Sequence, residues 1–510
     1  MRMGFSKLLP ALVALEVMLP AAAAADVVCP EGYAPFSITY DLMFRAMAVD
    51  LELTRYPSVG PFSLETCKAI LGDDPPPSVR AIDAERIDFA HLFILGSIRY
   101  RAERHHRADD LPSLFGGMTF RPAKNFGAFA ILSLDRARAL DPAYTGKKYR
   151  GLAGETALAA LSYTGNKVTV TLGRLRPVWG PRPVNLILSE TADPLDLLAA
   201  SYRTGRLAFH FLFARLDKSR PDSLDRIRFP DYAFNDNRYL AAHRLDLRLH
   251  RRLRIGITET ILFGGEGRSP ELYYLNPLQI FHGVQMNEKT DDNTIVGFDV
   301  TALPGWGTVL YGQAIIDDFQ LDDKSQGDQE PDEWGLMAGL FRAGRMRSWL
   351  PDLRLEYVRL TNRTYHQVYP RNRYLYHNKP LGHPLGPDAD SVALTARFWP
   401  DRIMWIECEL AYCRYGQGSL HASWDEPWMA VTGDYDEPFP TGVVEKTTAV
   451  ALRAGGFLPL AGYAANHLFF SVDAGWKDIK NRDNVAGRSA GTAWFDFTLT
   501  WMGFADIGLE

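Results

Sequence analysis

The sequence predicts an all-β transmembrane β-barrel of about 18 antiparallel strands, preceded by a small N-terminal α-helical module. Three observations predict this fold class: an export signal, apolar and polar side chains that alternate along many short segments, and no later apolar run of helix-spanning length. Only helices and closed barrels satisfy their backbone hydrogen bonds inside a bilayer, so such a chain would cross with strands. Dividing the ~420 residues after the module by roughly 23 per strand and connection gives about 18 strands.

Residues 1–25 have the pattern of a cleavable secretory signal. A basic start with Arg2 and Lys7 precedes an apolar run from Leu8 to Leu19, and a stretch of small residues follows it. The apolar run is too short to cross a bilayer as a helix. We therefore expect this segment to be removed during export.

Residues 26–87 lack the alternation and form a separate predicted unit. Apolar spacing from Tyr40 to Leu51 favours a helix, and Ser63 can cap a second helix over residues 64–71. Three consecutive prolines at 75–77 mark a turn before a third helical piece. We expect a small helical module on the periplasmic side, with an irregular linker as the alternative.

The four cysteines fall into two pairs. Cys29 and Cys67 lie in the predicted module, and in an exported protein this pair is a plausible disulfide. Cys408 and Cys413 are five positions apart on one predicted strand and point to opposite faces, so no bond between them is expected. We expect Cys408 to face lipid and Cys413 to lie on the polar side.

Residues 88–510 carry the strand pattern and are predicted to form the barrel. One face is apolar and the other polar or charged in four clear examples: residues 244–250, 404–412, 468–477 and 494–501. Ions are costly in a packed core and natural in a wet lumen, so the apolar faces are predicted to meet lipid. A soluble sandwich with its charged faces outward is the alternative. The number of such segments favours the barrel, as do aromatics near strand ends that fit interfacial girdles: Tyr412, Trp476 and Trp501.

Longer polar tracts interrupt the pattern. They are candidate extracellular loops or lumen insertions: residues 101–115, 217–237, 317–333, 361–390 and 417–441.

Composition excludes some partners and leaves others open. A formal net charge of -5 gives no basic field for nucleic acid. Most of the 56 basic residues are arginine. The guanidinium fork pairs with carboxylates, which would suit a surface that handles acidic sugars, although a GC-rich genome would also enrich arginine.

No catalytic, cofactor or metal motif stands out. The histidine pairs lack the spacing of a recognised zinc site. Asp317 and Asp318 are adjacent, so on a continuing strand they would face opposite sides and could not share a substrate atom. The glycines at 264–267 lack the Lys-Ser/Thr ending of a phosphate loop. We predict a protein that is not an enzyme and binds no cofactor or metal.

Several segments carry a family pattern when they are taken together and in order. The first is GRLRPVWGP at residues 173–181, followed by NLILS at 185–189. Later segments agree in order: 264–265, 274–277, 292–293, 297–299, 311–313, 317–318 and 380–388. Together they resemble the capsule assembly Wzi family of outer-membrane proteins, and the resemblance covers roughly residues 40 to 500. It implies an 18-stranded barrel in the outer membrane of a Gram-negative bacterium with a periplasmic helical bundle. It also implies a lectin, without catalysis, that holds capsular polysaccharide or related exopolysaccharide at the cell surface.

Candidate sugar-binding residues combine aromatic rings with arginines, because rings stack on pyranoses and guanidinium groups bind carboxylates. The first patch places Trp179 beside three arginines: Arg174, Arg176 and Arg182. Two further patches are Arg268 with Tyr273, and Tyr374 with Tyr376. For each patch the alternative is that the side chains only pack within the protein. Trp179, for example, could anchor the chain at a membrane interface or pack a plug in the lumen.

The leading hypothesis is therefore a tethering lectin that works as a monomer. Its expected partners are the polysaccharide, outer-membrane lipid and, during biogenesis, the barrel-assembly machinery. The first alternative is a porin or substrate channel for saccharides, since charged inner faces would equally line an open pore. The second is an outer-membrane enzyme that acts on lipid or glycan.

Overall fold

The computed structural model describes residues 37–54, 56–60, 64–71, 90–103, 109–123, 125–142, 144, 146–319, 329–432, 435–459 and 467–507. Three sequence predictions lie outside these residues: the signal at 1–25, Cys29, and the helical piece expected after the prolines at 75–77. The pairing of Cys29 with Cys67 therefore stays a prediction, and Cys67 itself is buried on a helix.

The described residues form a closed antiparallel barrel of 18 strands, which confirms the predicted fold class. Each strand pairs with its neighbours in the chain, and the first strand pairs with the last from Ala90↔Ile507 to Glu103↔Trp494. The strands are β1 Ala90–Glu103, β2 Asp109–Ala123, β3 Phe126–Asp135, β4 Leu152–Thr164, β5 Val168–Leu175, β6 Leu195–Thr204, β7 Leu207–Leu216, β8 Asp236–His250, β9 Leu253–Glu266, β10 Asn293–Gly305, β11 Thr308–Asp318, β12 Glu333–Arg342, β13 Asp352–Leu360, β14 Ala389–Asp401, β15 Met404–Tyr415, β16 Glu445–Pro459, β17 His467–Lys480 and β18 Ser489–Ile507.

Helices are few and short. They are α1 Ser37–Asp50, α2 Leu64–Leu71, α3 Arg136–Leu140, α4 Ser223–Arg228, α5 Leu272–Leu275 and α6 Phe281–Glu288, with 3-10 turns at Pro370–Asn372, Pro427–Ala430 and Arg482–Asn484. Two-residue strands occur at Val59–Gly60, Lys148–Tyr149, Val178–Trp179, Leu375–Tyr376 and Lys379–Pro380. In the described part of the chain, no helix has the length and apolar character needed to cross a membrane.

The strand alternation places apolar side chains outside and charges inside. On β8, Leu245 and Leu249 are 38% and 45% exposed, whereas Arg244 is fully buried. On β15, Cys408 is exposed on the outer face, and the Cys413 thiol donates to Ser391 Oγ at 3.4 Å on the other side. This arrangement confirms the predicted orientation of both faces and excludes the soluble sandwich.

The two ends of the barrel differ in their connections. One end has tight turns, such as residues 205–206, 251–252 and 306–307, and the other carries loops such as 217–235 and 416–444. Short turns are typical of the periplasmic side of such barrels and long loops of the extracellular side. The loop predicted over residues 101–115 is wrong, because the chain there is mostly β1 and β2, joined at residues 104–108. Its charged residues had suggested a loop, but the lumen accommodates charge on a strand.

Helix α1 packs into the short-turn end of the lumen. Phe44 meets the rings of Tyr311 and Phe341 edge-on, with centroids 5.9 and 5.3 Å away. Asp41 forms a 2.5 Å ion pair with Arg397 on β14. These contacts join an apolar face and a charged face of one helix to the inner wall, so α1 occupies this end of the lumen.

Cross-strand ion pairs fill the lumen wall. The fully buried Arg244 bonds Asp246 at 2.7 Å and Asp299 at 2.5 Å, and Nη1 also donates to Thr258 at 3.0 Å. A side chain at Gly256 would collide with this guanidinium. The pattern satisfies the buried charges, which would otherwise carry a large desolvation cost.

Candidate functional site

The connection between β5 and β6 turns inward and occupies the lumen. We call residues 176–194 the lumen segment. Asn185 fixes its shape locally, because its side-chain oxygen accepts from the main-chain N–H of Ile187 and Leu188 and its amide donates to Leu188 O at 2.7 Å. Gln313 on β11 holds the segment to the wall, since Oε1 accepts from Leu186 N at 2.7 Å and Nε2 donates to Trp179 O.

Residues 361–388, the plug loop, pack on the lumen segment. Tyr365 donates its hydroxyl to Leu186 O, and the main-chain N–H of Ser189 donates to Leu381 O at 2.9 Å. Arg238 on β8 ties the plug loop to the wall by donating to three main-chain oxygens, at 2.6 to 3.0 Å: Arg371 O, Arg373 O and Leu375 O. Two chain segments therefore fill the barrel below its long-loop end.

Trp179 lies inside this filled lumen. Its side chain is 3% exposed, and its main chain pairs with Val59 of the N-terminal segment and with Leu188. One edge borders a cavity of about 280 Å³ between the N-terminal segment and the wall strands β4 to β7. The side chain therefore packs between segments and does not present an open ring face.

The three arginines predicted beside Trp179 point elsewhere. Arg174 is on the outer face of β5 with the exposed Leu172, and its Nη1 pairs with Asp196 at 3.2 Å. Arg182 lies over the α1 rings, 4.8 Å from the Phe44 centroid. Arg176 is partly buried within the electrostatic reach of Glu190. The structure does not bring these four residues onto one surface, and their role in binding stays a prediction.

Arg268 and Tyr273 lie together in the connection between β9 and β10. The Arg268 guanidinium bonds Glu271 at 2.7 Å and Asp292 at 2.8 Å, and it lies 5.1 Å from the Phe263 ring centroid. Burial and the neighbouring Glu271 carboxylate raise the pKa of Tyr273 to about 12. This arginine holds its own loop together, since its donors bond protein oxygens.

Tyr374 and Tyr376 are buried in the plug loop, at 0% and 4% exposure. Tyr374 stacks on Tyr365 with centroids 5.5 Å apart, and Tyr376 stacks on His377 at 4.0 Å. Both rings pack against protein, so the geometry favours a structural part for them while leaving a binding role untested.

A cleft opens between the plug loop and residues 416–444 at the long-loop end. We call it the outer cleft; its volume is about 420 Å³. Its lining combines rings, amides and charges: Asn362, Arg363, His366, Gln417, Ser419, Trp424, Asp425, Tyr435 and Glu437. Gln417, Ser419 and Asp425 are exposed. This set offers the half-buried ring of Tyr435 and planar hydrogen-bonding groups within one concave surface, whereas the Trp424 ring is 8% exposed and packs against His366 with centroids 5.4 Å apart.

Arg363 organises the outer cleft. It is 3% exposed, bonds Glu437 at 2.9 Å and lies 4.7 Å from the ring centroid of Trp428. Asp425 pairs with the same guanidinium at 3.3 Å. Two carboxylates thus neutralise one cation, which leaves this part of the cleft without net positive charge.

Three long-loop elements interlock around the cleft. The Ser423 hydroxyl lies 2.7 Å from the carboxylate of Asp222, the N-cap of α4, and 2.9 Å from that of Asp225 on α4, and Asp225 pairs with Arg373 at 2.7 Å. Asp222 also caps α4 through a reciprocal pair of bonds with Asp225. The cleft walls are therefore held by charge-assisted bonds, which are stronger than neutral ones.

His366 connects the plug loop to the 416–444 loop. Its Nε2 lies 2.9 Å from Ala422 O, in position to donate. Burial and the nearby Arg373 lower the pKa of His366 to about 4. The side chain is consequently neutral at pH 7 and serves as a donor.

A comparison with protein families identifies the chain. The model of the family described as capsule assembly protein Wzi matches residues 137–490. The chain belongs to the capsule assembly protein Wzi family. The match spans the lumen segment, the plug loop and both walls of the outer cleft, and it confirms the family resemblance inferred from the sequence motifs.

Solved structures agree with the fold. Escherichia coli Wzi, described as an outer membrane protein involved in group 1 capsule assembly and a carbohydrate binding beta-barrel, aligns with a TM-score of 0.58 at 14% identity. The alignment covers 96% of this chain and 100% of that one. Two Pseudomonas aeruginosa proteins also align. OccD3 aligns with a TM-score of 0.49 at 8% identity, and the alignment covers 82% of this chain and 92% of that one. OprD aligns with a TM-score of 0.46 at 10% identity, and the alignment covers 82% of this chain and 96% of that one. No curated protein matches by sequence.

The location follows from the family and the barrel together. The protein is an outer-membrane β-barrel, with its apolar outer face toward lipid. The binding residues predicted from the sequence do not include Arg363 and Glu437. Their pairing joins positions 74 residues apart, and no local pattern signals it.

Proposed function

We propose that this protein binds capsular polysaccharide or a related exopolysaccharide and tethers it at the cell surface, without catalysis. The observation that carries the proposal is the Wzi family match over residues 137–490. The E. coli structure described as a carbohydrate binding beta-barrel supports it as a structural neighbour. We further propose that residues 26–87 form a module on the periplasmic side, with α1 and Val59 inserted into the lumen.

The outer cleft is our candidate binding surface. Sugar rings stack on aromatic faces and bond to planar polar groups, and the cleft offers the half-buried Tyr435 and the exposed Gln417. It lies at the long-loop end, where a surface polymer would meet the barrel. Because Asp425 and Glu437 neutralise Arg363, we expect the cleft to favour hydroxyl-rich segments over carboxylated ones.

Deleting the gene and measuring how polymer divides between cell surface and medium tests the tether. Polymer that is still made but shed supports it, and unchanged retention contradicts it. Complementation with Gln417→Ala plus Tyr435→Ala is expected to restore the barrel but not retention. Trp349→Ala, which truncates a 90%-exposed tryptophan at the short-turn end, is the matched control and should retain polymer.

A strain carrying Arg174→Ala with Trp179→Ala compares the sequence-predicted patch with the cleft. If that strain sheds polymer and the cleft variant does not, the earlier patch is the site. If only the deletion strain sheds, the tether stands and both candidate sites are wrong. Heat-modifiable migration in gels checks that each barrel is folded.

A further inference from the structure

Two carboxylates face the interior beneath the plug loop, and no basic side chain of the described residues bonds to them. Glu333 begins β12 on the same face as the buried Met337, and it is 1% exposed. Neither of its carboxylate oxygens has a hydrogen-bond partner among the described residues. A buried, unpartnered carboxylate is costly unless a cation or a proton satisfies it.

Asp317 is the neighbour of Glu333 on the adjacent strand. The β11–β12 register pairs Ile316 with Trp334 and Asp318 with Glu333, so Asp317 sits in the bulge between these pairs. One Asp317 oxygen accepts the main-chain N–H of Tyr365, and the other has no partner within the described chain. Three carboxylate oxygens of two adjacent acids are thus left unsatisfied.

No nearby cation on the described residues compensates them. Arg363 is the basic group that acts electrostatically on Glu333, while repulsion comes from Asp317, Asp318 and Glu330. The guanidinium of Arg363 already bonds Glu437 through two nitrogens. The charge at this point therefore favours a bound cation.

We propose that Asp317 and Glu333 bind a hard divalent cation, Ca²⁺ or Mg²⁺. Both ions prefer oxygen ligands, and Mg²⁺ in particular is held by one or two carboxylates while it keeps water ligands. No three His, Cys, Asp or Glu side chains of the described residues converge in metal-binding geometry. Two carboxylates would hold the ion, and main-chain and water oxygens would complete its shell.

The cation would secure the start of the plug loop. Asp317 already bonds Tyr365, and Thr361 Oγ1 accepts from Trp334 N at 2.9 Å beside Glu333. Neutralising the two acids would remove their repulsion where the loop leaves the wall. This role is independent of glycan binding, so it can be tested without a polysaccharide.

The test uses the full-length protein, purified in detergent and stripped with EDTA, then titrated with CaCl₂ or MgCl₂ by calorimetry. Wild type is expected to bind one ion saturably and to gain several degrees in Tm. Glu333→Gln and Asp317→Asn should each weaken binding by at least ~10-fold. Asp483→Asn, at an exposed acid in another loop, should bind as wild type.

If the wild-type protein shows neither saturable binding nor a Tm shift, the proposal is overturned. This outcome does not depend on whether the variants fold. Binding that persists unchanged in both variants would also overturn it. If the wild-type protein binds neither ion but loses stability as pH rises, a shared proton satisfies Asp317 and Glu333, and the cation site is rejected.

Discussion

Several arginines of the described residues pair with carboxylates of the protein itself. The guanidinium groups bond carboxylates of the barrel or its loops in Arg244, Arg363 and Arg268. The arginine excess that suggested acidic sugars is thus explained in part by lumen chemistry. The planar, permanently charged guanidinium can bond one carboxylate through two nitrogens, a geometry that the single Nζ of lysine cannot provide.

Removing Arg244 should be severe. Arg244→Met leaves Asp246 and Asp299 buried without their partner, and breaking such a pair costs about 3–5 kcal/mol. We expect a loss of that order in urea unfolding of the detergent-solubilised protein. The control is Arg347→Met, whose exposed pair with Asp401 should be worth about 0–1 kcal/mol. Equal effects of the two variants would contradict the argument.

At the scale of elements, strands obey a local rule and the inward segments do not. Period-2 alternation correctly placed β8, β15, β17 and β18, because a strand's side-chain direction is fixed by its own backbone. The lumen segment and plug loop depend on partners far along the chain, such as Gln313 for Leu186. The sequence could mark their motifs but could not show that they fold inward.

The contact between the plug loop and the 416–444 loop should be pH-sensitive. Burial lowers the pKa of His366 from its ordinary 6.5 to about 4, so the unfolded chain takes up a proton at a pH where the folded protein does not. Stability is therefore fully present above about pH 6.5 and is lost as pH falls toward 4. The loss expected from this group is roughly 2–3 kcal/mol.

Urea unfolding between pH 4 and 7 measures this dependence. His383 has its pKa lowered to about 4 by burial as well, so it contributes in the same direction. His366→Asn should flatten the curve while leaving the part due to His383. An unchanged slope in that variant would show that His366 does not carry the effect.

The whole molecule combines a porin-like wall with a filled interior. Eighteen strands would enclose an aqueous channel if the lumen were empty. Here α1 occupies the short-turn end, while the lumen segment and plug loop occupy the other half. The filled lumen therefore favours a protein that binds a ligand at its surface and argues against a channel that transports one.

Planar bilayers distinguish the two. The purified protein is expected to give no stable open current, because the buried Tyr365, Tyr374 and Leu186 lie across the lumen. A steady single-channel conductance for this protein would make the channel the better account.

Fold class, strand orientation and family were accessible from the sequence, since each rests on short-range patterns: alternation within a strand, and motifs such as residues 173–181. The candidate site was not. The Arg363–Glu437 pair and the Asp317–Glu333 pair each join separate loops or strands, and the predicted patch around Trp179 separates once the chain turns into the lumen. Side-chain direction on a strand is a property of neighbouring residues, whereas a cleft between loops exists only after barrel closure sets which loops meet.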